Sequence, residues 1–368
     1  MKDIDSCLVI GGAGMLGFEI VKQLATAGCR VRVLDIAALP EPLSAVLDPA
    51  SRRLVEARIG DIRRYPEVLD ACRGMDVVIQ TAAAVWNVNT PPRTYDAVNV
   101  AGNRNVLDAC REAGVTRLVY TSSMDVVVDG RKPIVDGDES LPYPARMPRD
   151  AYSKSKIVAE KMVLAANGPR LATCVIRPVG MYGPRDKYHL GNIIGMARKG
   201  MSLRLGNGSA KFSHVYSENA ARAHVLAAER LEPGAVIAGK CYFVCDHYPA
   251  ENLFDFMAPF LRELGLPVPK RSIPYWLAYA MGTAAELIAP HSNLNRFSVI
   301  QTCVDHTFVD RAARRDLGYE PIVSREGAFR RSVEWLRGGA VETACVTPGS
   351  RVVETSPARS RRSPPSGA

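Results

Sequence analysis

The hydrophobic and polar positions of this chain set out its elements before any chemistry is considered. Residues 6–36, SCLVIGGAGMLGFEIVKQLATAGCRVRVLDI, run as an apolar stretch, a glycine turn, an amphipathic stretch and a second apolar stretch. Short apolar runs bounded by glycine read as buried strands, and apolar residues at three- and four-residue spacing read as a helix. The pattern predicts one βαβ unit whose helix stops at Gly28 and whose second strand ends at Asp35. Strand-like runs return in RLVEARIGDI (53–62), MDVVIQTAAAV (75–85), TRLVYTSS (116–123) and LATCVIRP (171–178), with helical segments between them. Alternating strands and helices predict an α/β fold on a doubly wound parallel sheet.

In such sheets ligands bind in the crevice beyond the carboxyl ends of the strands. Gly60-Asp61-Ile62, Ala82-Ala83 and Thr121-Ser122-Ser123 are therefore expected to gather around one ligand. Gly11, Gly14 and Gly17 follow a strand and open a helix, with Met15 and Leu16 in its first turn. Glycines at this spacing allow a tight turn, close approach to a pyrophosphate, and helix-to-strand contact, and the helix N-terminus favours the anion. Asp35, at the end of the next strand, can accept hydrogen bonds from ribose hydroxyls and would repel a 2′-phosphate, which points to NAD rather than NADP.

Composition excludes more than it identifies. At 368 residues and 47% hydrophobic, the chain can bury a large core. Asp3 and Asp5 stand where an export signal would need an apolar region. Nine cysteines without a Cys-x-x-Cys pair argue for reduced thiols, a cytoplasmic location and no metal site. The net charge of +9 is partly a tail effect, since the last nineteen residues hold four arginines against one glutamate. Residues 339–368 are expected to form a disordered basic tail. Basic residues elsewhere are not interleaved with aromatics, so no nucleic-acid partner is expected.

The candidate chemistry lies in AYSKSK, 151–156, in a segment that opens like a helix. Positions i and i+4 share a helix face, so the Lys156 ammonium can sit beside the Tyr152 phenol and lower its pKa toward use as a base. Ser122 and Ser123, at a strand end, can point a hydroxyl into the same crevice. Serine, tyrosine and lysine together suit alcohol oxidation, where a base takes the alcohol proton and a second donor holds the charge developing on oxygen.

With these residues in VIGGAGMLG, GDI, AVNVAGNRNVLDAC (97–110), RLVYTSSMDVV (117–127), DESLPY (138–143), AYSKSK, CVIRPVGMYGP (174–184), HVYSENAARAH (214–224) and ARRDLGYEP (313–321), the chain resembles the extended short-chain dehydrogenase/reductase superfamily, and within it the 3β-hydroxysteroid dehydrogenase family. The resemblance covers roughly residues 6–338. It implies a Rossmann-like NAD-binding domain over 1–184, with 214–246 returning to it, and a smaller C-terminal substrate-binding lobe over 185–338. The implied activity is NAD-dependent oxidation of a 3β-hydroxyl, with isomerisation or C4 decarboxylation as further steps.

Carried over by residue, the resemblance makes Tyr152 the base, Lys156 its modifier and ribose anchor, and Ser123 the donor in preference to Ser122. It puts Asn99 beside the active site, and Pro178 in the segment whose backbone, after Arg177, meets the nicotinamide. It also makes His214 structural. Gln80 and Asn103 depart from the histidine and threonine common in relatives, both on the cofactor side. Trp86, Met124, Met181 and Tyr188 are candidates to line a steroid-sized pocket, with ordinary core packing as the alternative. The apolar segment 273–290 is expected to pack as a helix inside the C-terminal lobe, with shallow membrane contact as the alternative. The expected partners are a small apolar substrate and a second copy of the chain in a homodimer. A nucleotide-sugar epimerase or dehydratase, with Arg185, Lys187 and Arg204 on the phosphates, another carbonyl reductase of the extended superfamily, and a non-catalytic NAD-binding regulator are the competing readings.

Overall fold

Along strand β1 (Ser6–Ile10), successive side chains enter two different cores, as the period of two in a buried strand requires. Cys7 and Val9 join Phe18, Ile20 and Val21 of helix α1 (Met15–Thr26) on one face. Leu8 and Ile10 join Val68 of α2 (Tyr65–Cys72) and Val106 of α3 (Gly102–Ala113) on the other. The computed structural model describes residues 4–338 except 41, 42, 44, 45, 131, 148, 149, 201, 202 and 289–293. The expected tail over 339–368 lies outside the described residues.

The remaining strands of the main sheet are β2 (Arg30–Asp35), β3 (Val55–Ile59), β4 (Val77–Gln80), β5 (Arg117–Thr121), β6 (Ala172–Pro178) and β7 (Lys240–Val244). All seven run parallel in the order β7-β6-β5-β4-β1-β2-β3. The order reverses at β1, which lies between β4 and β2, and the crevice at that switch point is where a dinucleotide binds in such a sheet.

Helix α4 (Ala151–Ala165) begins at Asp150, whose side chain accepts from Ser153 N. Beyond β6 the chain leaves the sheet. It forms α5 (His189–Arg198), returns through α6 (Ser217–Arg230), which packs against α1, and adds β7 beside β6. A second core gathers Leu190 and Ile194 of α5, Phe256, Met257 and Phe260 of α7 (Leu253–Glu263), and later Val333 and Leu336.

The segment expected to pack inside this lobe does form a helix, α8 (Tyr275–Ile288), but it lies on the surface. Of its residues only Ala278 and Gly282 are buried, and a Cβ on Gly282 would come within 3.0 Å of the Asn295 backbone. Its small side chains face the neighbouring helix α9 (Arg296–Cys303), and Glu286 pairs with Arg296. Trp276 is 70% exposed, Leu287 82% and Ile288 84%, so an apolar run that reads as core stands in solvent.

Candidate active site

At two of its glycines the turn leaves no room for a side chain. Gly11 has φ of +86°, and a Cβ there would stand 2.6 Å from Ala82 N. A Cβ on Gly17 would lie 2.1 Å from Gly11 O, so the first turn of α1 rests directly on the strand. Gly14 caps α1 with no side-chain bond and its first turn holds no acidic residue, leaving the helix N-terminus at Met15 and Leu16 suited to an external anion. Asp35 joins the turn: its Oδ2 accepts from Ala13 N at 2.9 Å and its Oδ1 from Ala37 N at 3.0 Å. Arg32, upstream, is taken up by Glu56 and the carbonyls of Ala71 and Arg73, so it offers no cation for a 2′-phosphate. These residues fit a dinucleotide without that phosphate.

Asp61 and Ile62 follow β3 at the same edge, and Asp61 is ion-paired with Arg63. Ala82 and Ala83 follow β4, where Gln80 grips Ala82 from both sides of its side-chain amide, at 2.9 Å each. Asn99 is fully buried and its amide is committed: Oδ1 accepts from Ala84 N at 2.8 Å, while Nδ2 donates to Ala84 O at 3.0 Å and to Ser155 Oγ at 2.9 Å. Ser155 Oγ in turn donates to Tyr152 O at 2.7 Å. Asn99 thus ties the end of β4 to the turn of α4 that carries Tyr152.

At the end of β5, Ser122 N donates to Ile176 O, and its buried hydroxyl has no partner among the described residues. The Ser123 hydroxyl lies 2.7 Å from Asp125 Oδ2. Tyr152 and Lys156 are both buried on α4. Burial pushes the Tyr152 phenol well above the usual tyrosine value, the carboxylate of Asp125 adds to that, and a hydrogen bond with Ser123 works the other way.

Lys156 does not sit on the phenol as the helical spacing predicts. Its Nζ donates to Thr121 O at 2.7 Å and to Tyr120 Oη at 3.4 Å, because β5 brings these acceptors under α4. Burial lowers its pKa to about 8, against the pull of Glu160 and Asp125. Ser123 and Tyr152 are thus brought together, with Lys156 one turn along on the floor of the crevice.

Of the apolar candidates, Met124 follows Ser123 directly and Met181 packs against the main core. Burial raises the Tyr188 phenol's pKa and the neighbouring Tyr95 adds to it, while Tyr95 meets the Tyr152 ring edge-on at 6.1 Å. Trp86 meets Phe297 of α9 at 5.3 Å. Pro178 ends β6, and the Arg177 side chain before it is paired with Glu160 at 2.5 Å, away from the crevice. His214 is buried with its ring stacked on Phe256 at 3.8 Å, as a structural residue would be. No local motif marks Tyr95, Phe297 or Gln301, and Asp125, although inside RLVYTSSMDVV, carries no sequence signal of its bond with Gln301.

Residues 8–275 match the model of the 3-beta hydroxysteroid dehydrogenase/isomerase family. Short-chain dehydrogenase/reductase family 42E member 1 of Bos taurus is 33% identical, over 93% of this chain and 91% of its own. Sterol-4-alpha-carboxylate 3-dehydrogenase, decarboxylating, of Mus musculus is 34% identical over 89% and 90%, and 3-beta-hydroxysteroid dehydrogenase of Mycolicibacterium neoaurum is 34% identical over the same shares. Among solved structures, the dTDP-glucose 4,6-dehydratase DesIV of Streptomyces venezuelae, with NAD and TYD bound, shares the fold with a TM-score of 0.70 and 23% identity, over 92% of this chain and 99% of its own. On the match over residues 8–275 and on these relatives, this chain belongs to the 3-beta hydroxysteroid dehydrogenase/isomerase family.

Proposed function

We propose that this protein is an NAD-dependent dehydrogenase that oxidises the 3β-hydroxyl of a steroid or sterol to the 3-ketone. The observation that carries the reading is the meeting of Ser123 and Tyr152 at the end of β5 in a chain of this family. NAD, when bound, accepts a hydride from the alcohol carbon. Tyr152 accepts the alcohol proton, and Ser123 hydrogen-bonds the reacting oxygen. The burial that raises the phenol's pKa in the protein alone must be offset by charge arriving with the ligands. Where C4 bears a carboxyl, oxidation at C3 leaves a β-keto acid, which can lose carbon dioxide with its electron pair delocalised into the new ketone. The name of the mouse relative includes that step.

The nucleotide-sugar reading asks for basic side chains converging on a diphosphate. Arg185 instead stacks on Phe18 at 3.3 Å and pairs with Glu19 at 3.0 Å. Arg204 pairs with Asp255 at 2.9 Å and bonds Asn252 at 3.0 Å. Of the three cations proposed for that role, Lys187 is exposed and the other two are committed to protein partners.

The surface of α8 supports contact with a lipid surface. Tyr275, Trp276, Leu277, Tyr279, Met281, Leu287 and Ile288 are exposed, with the cations Lys270 and Arg271 just ahead of them. Aromatic and aliphatic side chains beside basic ones suit the interface of an anionic bilayer. Among the described residues no helix is long and apolar enough to cross a membrane. An apolar substrate that partitions into lipid would reach the enzyme from that side.

The test supplies NAD with a 3β-hydroxysteroid, its 3α epimer, a 4-carboxysterol and a nucleotide sugar, and follows NADH and products together. NADH formation with 3β-hydroxyl substrates is expected. Epimerisation of the sugar without net NADH would overturn the reading.

A further inference from the structure

Asp125 stands between the candidate donor serine and the second lobe. Its Oδ2 is 2.7 Å from Ser123 Oγ, and its Oδ1 accepts from Gln301 Nε2 on α9 at 2.6 Å. Gln301 lies 176 residues along the chain from Asp125. The same helix reaches the crevice a second time through Phe297, which meets Trp86. The charged and titratable groups facing Asp125 are Lys156, Tyr152 and Asp150, all on or capping α4. None of these is paired with it directly: Lys156 is bonded to Thr121 O and Tyr120, and Asp150 caps α4.

A serine hydroxyl has one proton. While Asp125 is ionised, that proton points at Oδ2, and Ser123 can offer a substrate oxygen only lone pairs. When Asp125 holds a proton, the acid donates to Ser123 Oγ, and the serine proton is free to turn toward the reacting oxygen. We propose that Asp125 is a positioning residue acting in its protonated form, donating from Oδ2 to Ser123 Oγ so that Ser123 can donate to the substrate oxygen, with Gln301 of the second lobe holding Oδ1. Burial favours this form by raising the carboxyl's pKa, while the bonds from Ser123 and Gln301 and the nearby Lys156 charge favour the ionised one. The balance makes the direction of the Ser123 proton depend on pH and on the seating of α9. The inference rests on the dehydrogenase reading above.

The experiment measures kcat against pH for NAD-linked 3β-hydroxyl oxidation in wild type, Asp125→Asn, Asp125→Ala and Gln301→Leu, with NAD affinity and melting temperature for each. Asparagine keeps an oxygen for Gln301 and presents a permanent N–H to Ser123. Asp125→Asn should stay within about twofold of wild type at its optimum, and Asp125→Ala should lose about tenfold, the worth of one positioned hydrogen bond. Wild type should lose kcat as pH rises through the Asp125 pKa, and Asp125→Asn should lack that fall. Gln301→Leu should move the fall to higher pH, because a donor that favours the carboxylate is gone. NAD affinity should be unchanged throughout.

An Asp125→Asn enzyme as impaired as Asp125→Ala, or one that keeps the wild-type pH profile, overturns the proposal. Should Asp125→Ala fail to fold, the other three profiles decide. Absence of wild-type turnover on every 3β-hydroxyl substrate would instead overturn the dehydrogenase reading, and this inference with it.

Discussion

Gln80 and Asn103 are hydrogen-bonded to each other, Nε2 to Oδ1 at 3.1 Å, in the buried layer behind the end of β4. Asn103 then donates to Asn99 O at 2.6 Å, and Gln80 holds both backbone groups of Ala82. These are the two positions at which the resemblance leads us to expect a histidine and a threonine. They form one coupled unit, which keeps the strand end and the helical segment Asp96–Ala101 ahead of α3 in place.

A double-mutant cycle tests that unit. Gln80→Leu or Asn103→Leu alone leaves a buried amide group without its partner, a loss of roughly 1–3 kcal/mol each. The double variant should lose less than the sum, with a coupling of about 1 kcal/mol in chemical denaturation. Strict additivity would mean that the two amides act independently.

Asp35 should select NAD. Its carboxylate is oriented by the N–H groups of Ala13 and Ala37, which aim it from the end of β2. Asp35→Ser should raise the NAD dissociation constant by about tenfold, equivalent to about 1.4 kcal/mol. Affinity for NADP should fall far less, because the charge that repels its phosphate is also gone. Equal losses for the two cofactors in a binding titration would remove Asp35 from this role.

Tyr152→Phe should lower kcat by roughly 10²- to 10⁴-fold, the usual worth of a positioned acid or base. Its ring contact with Tyr95 does not need the oxygen, so NAD affinity and melting temperature should hold. Ser123→Ala should cost more turnover than Ser122→Ala, since it is Ser123 whose hydroxyl acts on the phenol and lowers its pKa against the effect of burial. The reverse ranking in steady-state kinetics would move the donor to Ser122.

How much was legible in the sequence follows from how local each feature is. The βαβ start could be read because Gly11, Gly14, Gly17 and Asp35 act through backbone geometry within thirty residues. Tyr152 and Lys156 could be paired because helical spacing is short-range, yet where the ammonium points could not, since its acceptors come from β5. The contact between Asp125 and Gln301 joins two lobes and leaves no local pattern. The surface position of α8 is hidden from the sequence for a different reason. An apolar run signals burial only when something covers it, and here the small residues Ala278 and Gly282 turn to the protein while the large ones turn out.

Lys156 should make cofactor binding depend on pH. Its pKa is about 8 in the folded protein, against 10.5 in the ordinary lysine. Between those values the unfolded chain holds a proton that the native state lacks, so native stability gains as pH rises through this window, and the gain is absent below about pH 8. If the ammonium anchors the nicotinamide ribose, NAD affinity should move the opposite way and weaken above about pH 8. Calorimetric titration of wild type and Lys156→Met should show that slope in the first and not in the second. Parallel curves would mean that Lys156 serves only Tyr120 and Thr121.

The exposed face of α8 should bind vesicles containing anionic lipid. Trp276, Leu287 and Ile288 lie at its two ends, so replacing all three with glutamate removes apolar area and adds charge of the wrong sign for such a surface. Because none of the three is buried, the melting temperature and the turnover of a water-soluble 3β-hydroxysteroid should stay near wild type. Cosedimentation with phosphatidylserine vesicles should be lost, and so should the turnover of a sterol supplied in those vesicles. Wild-type protein that stays in the supernatant, or a triple variant that still sediments, would show that α8 is not a lipid-binding face. A second copy of the chain would then be the covering to look for, and loss of a dimer in the triple variant by sedimentation velocity would identify it.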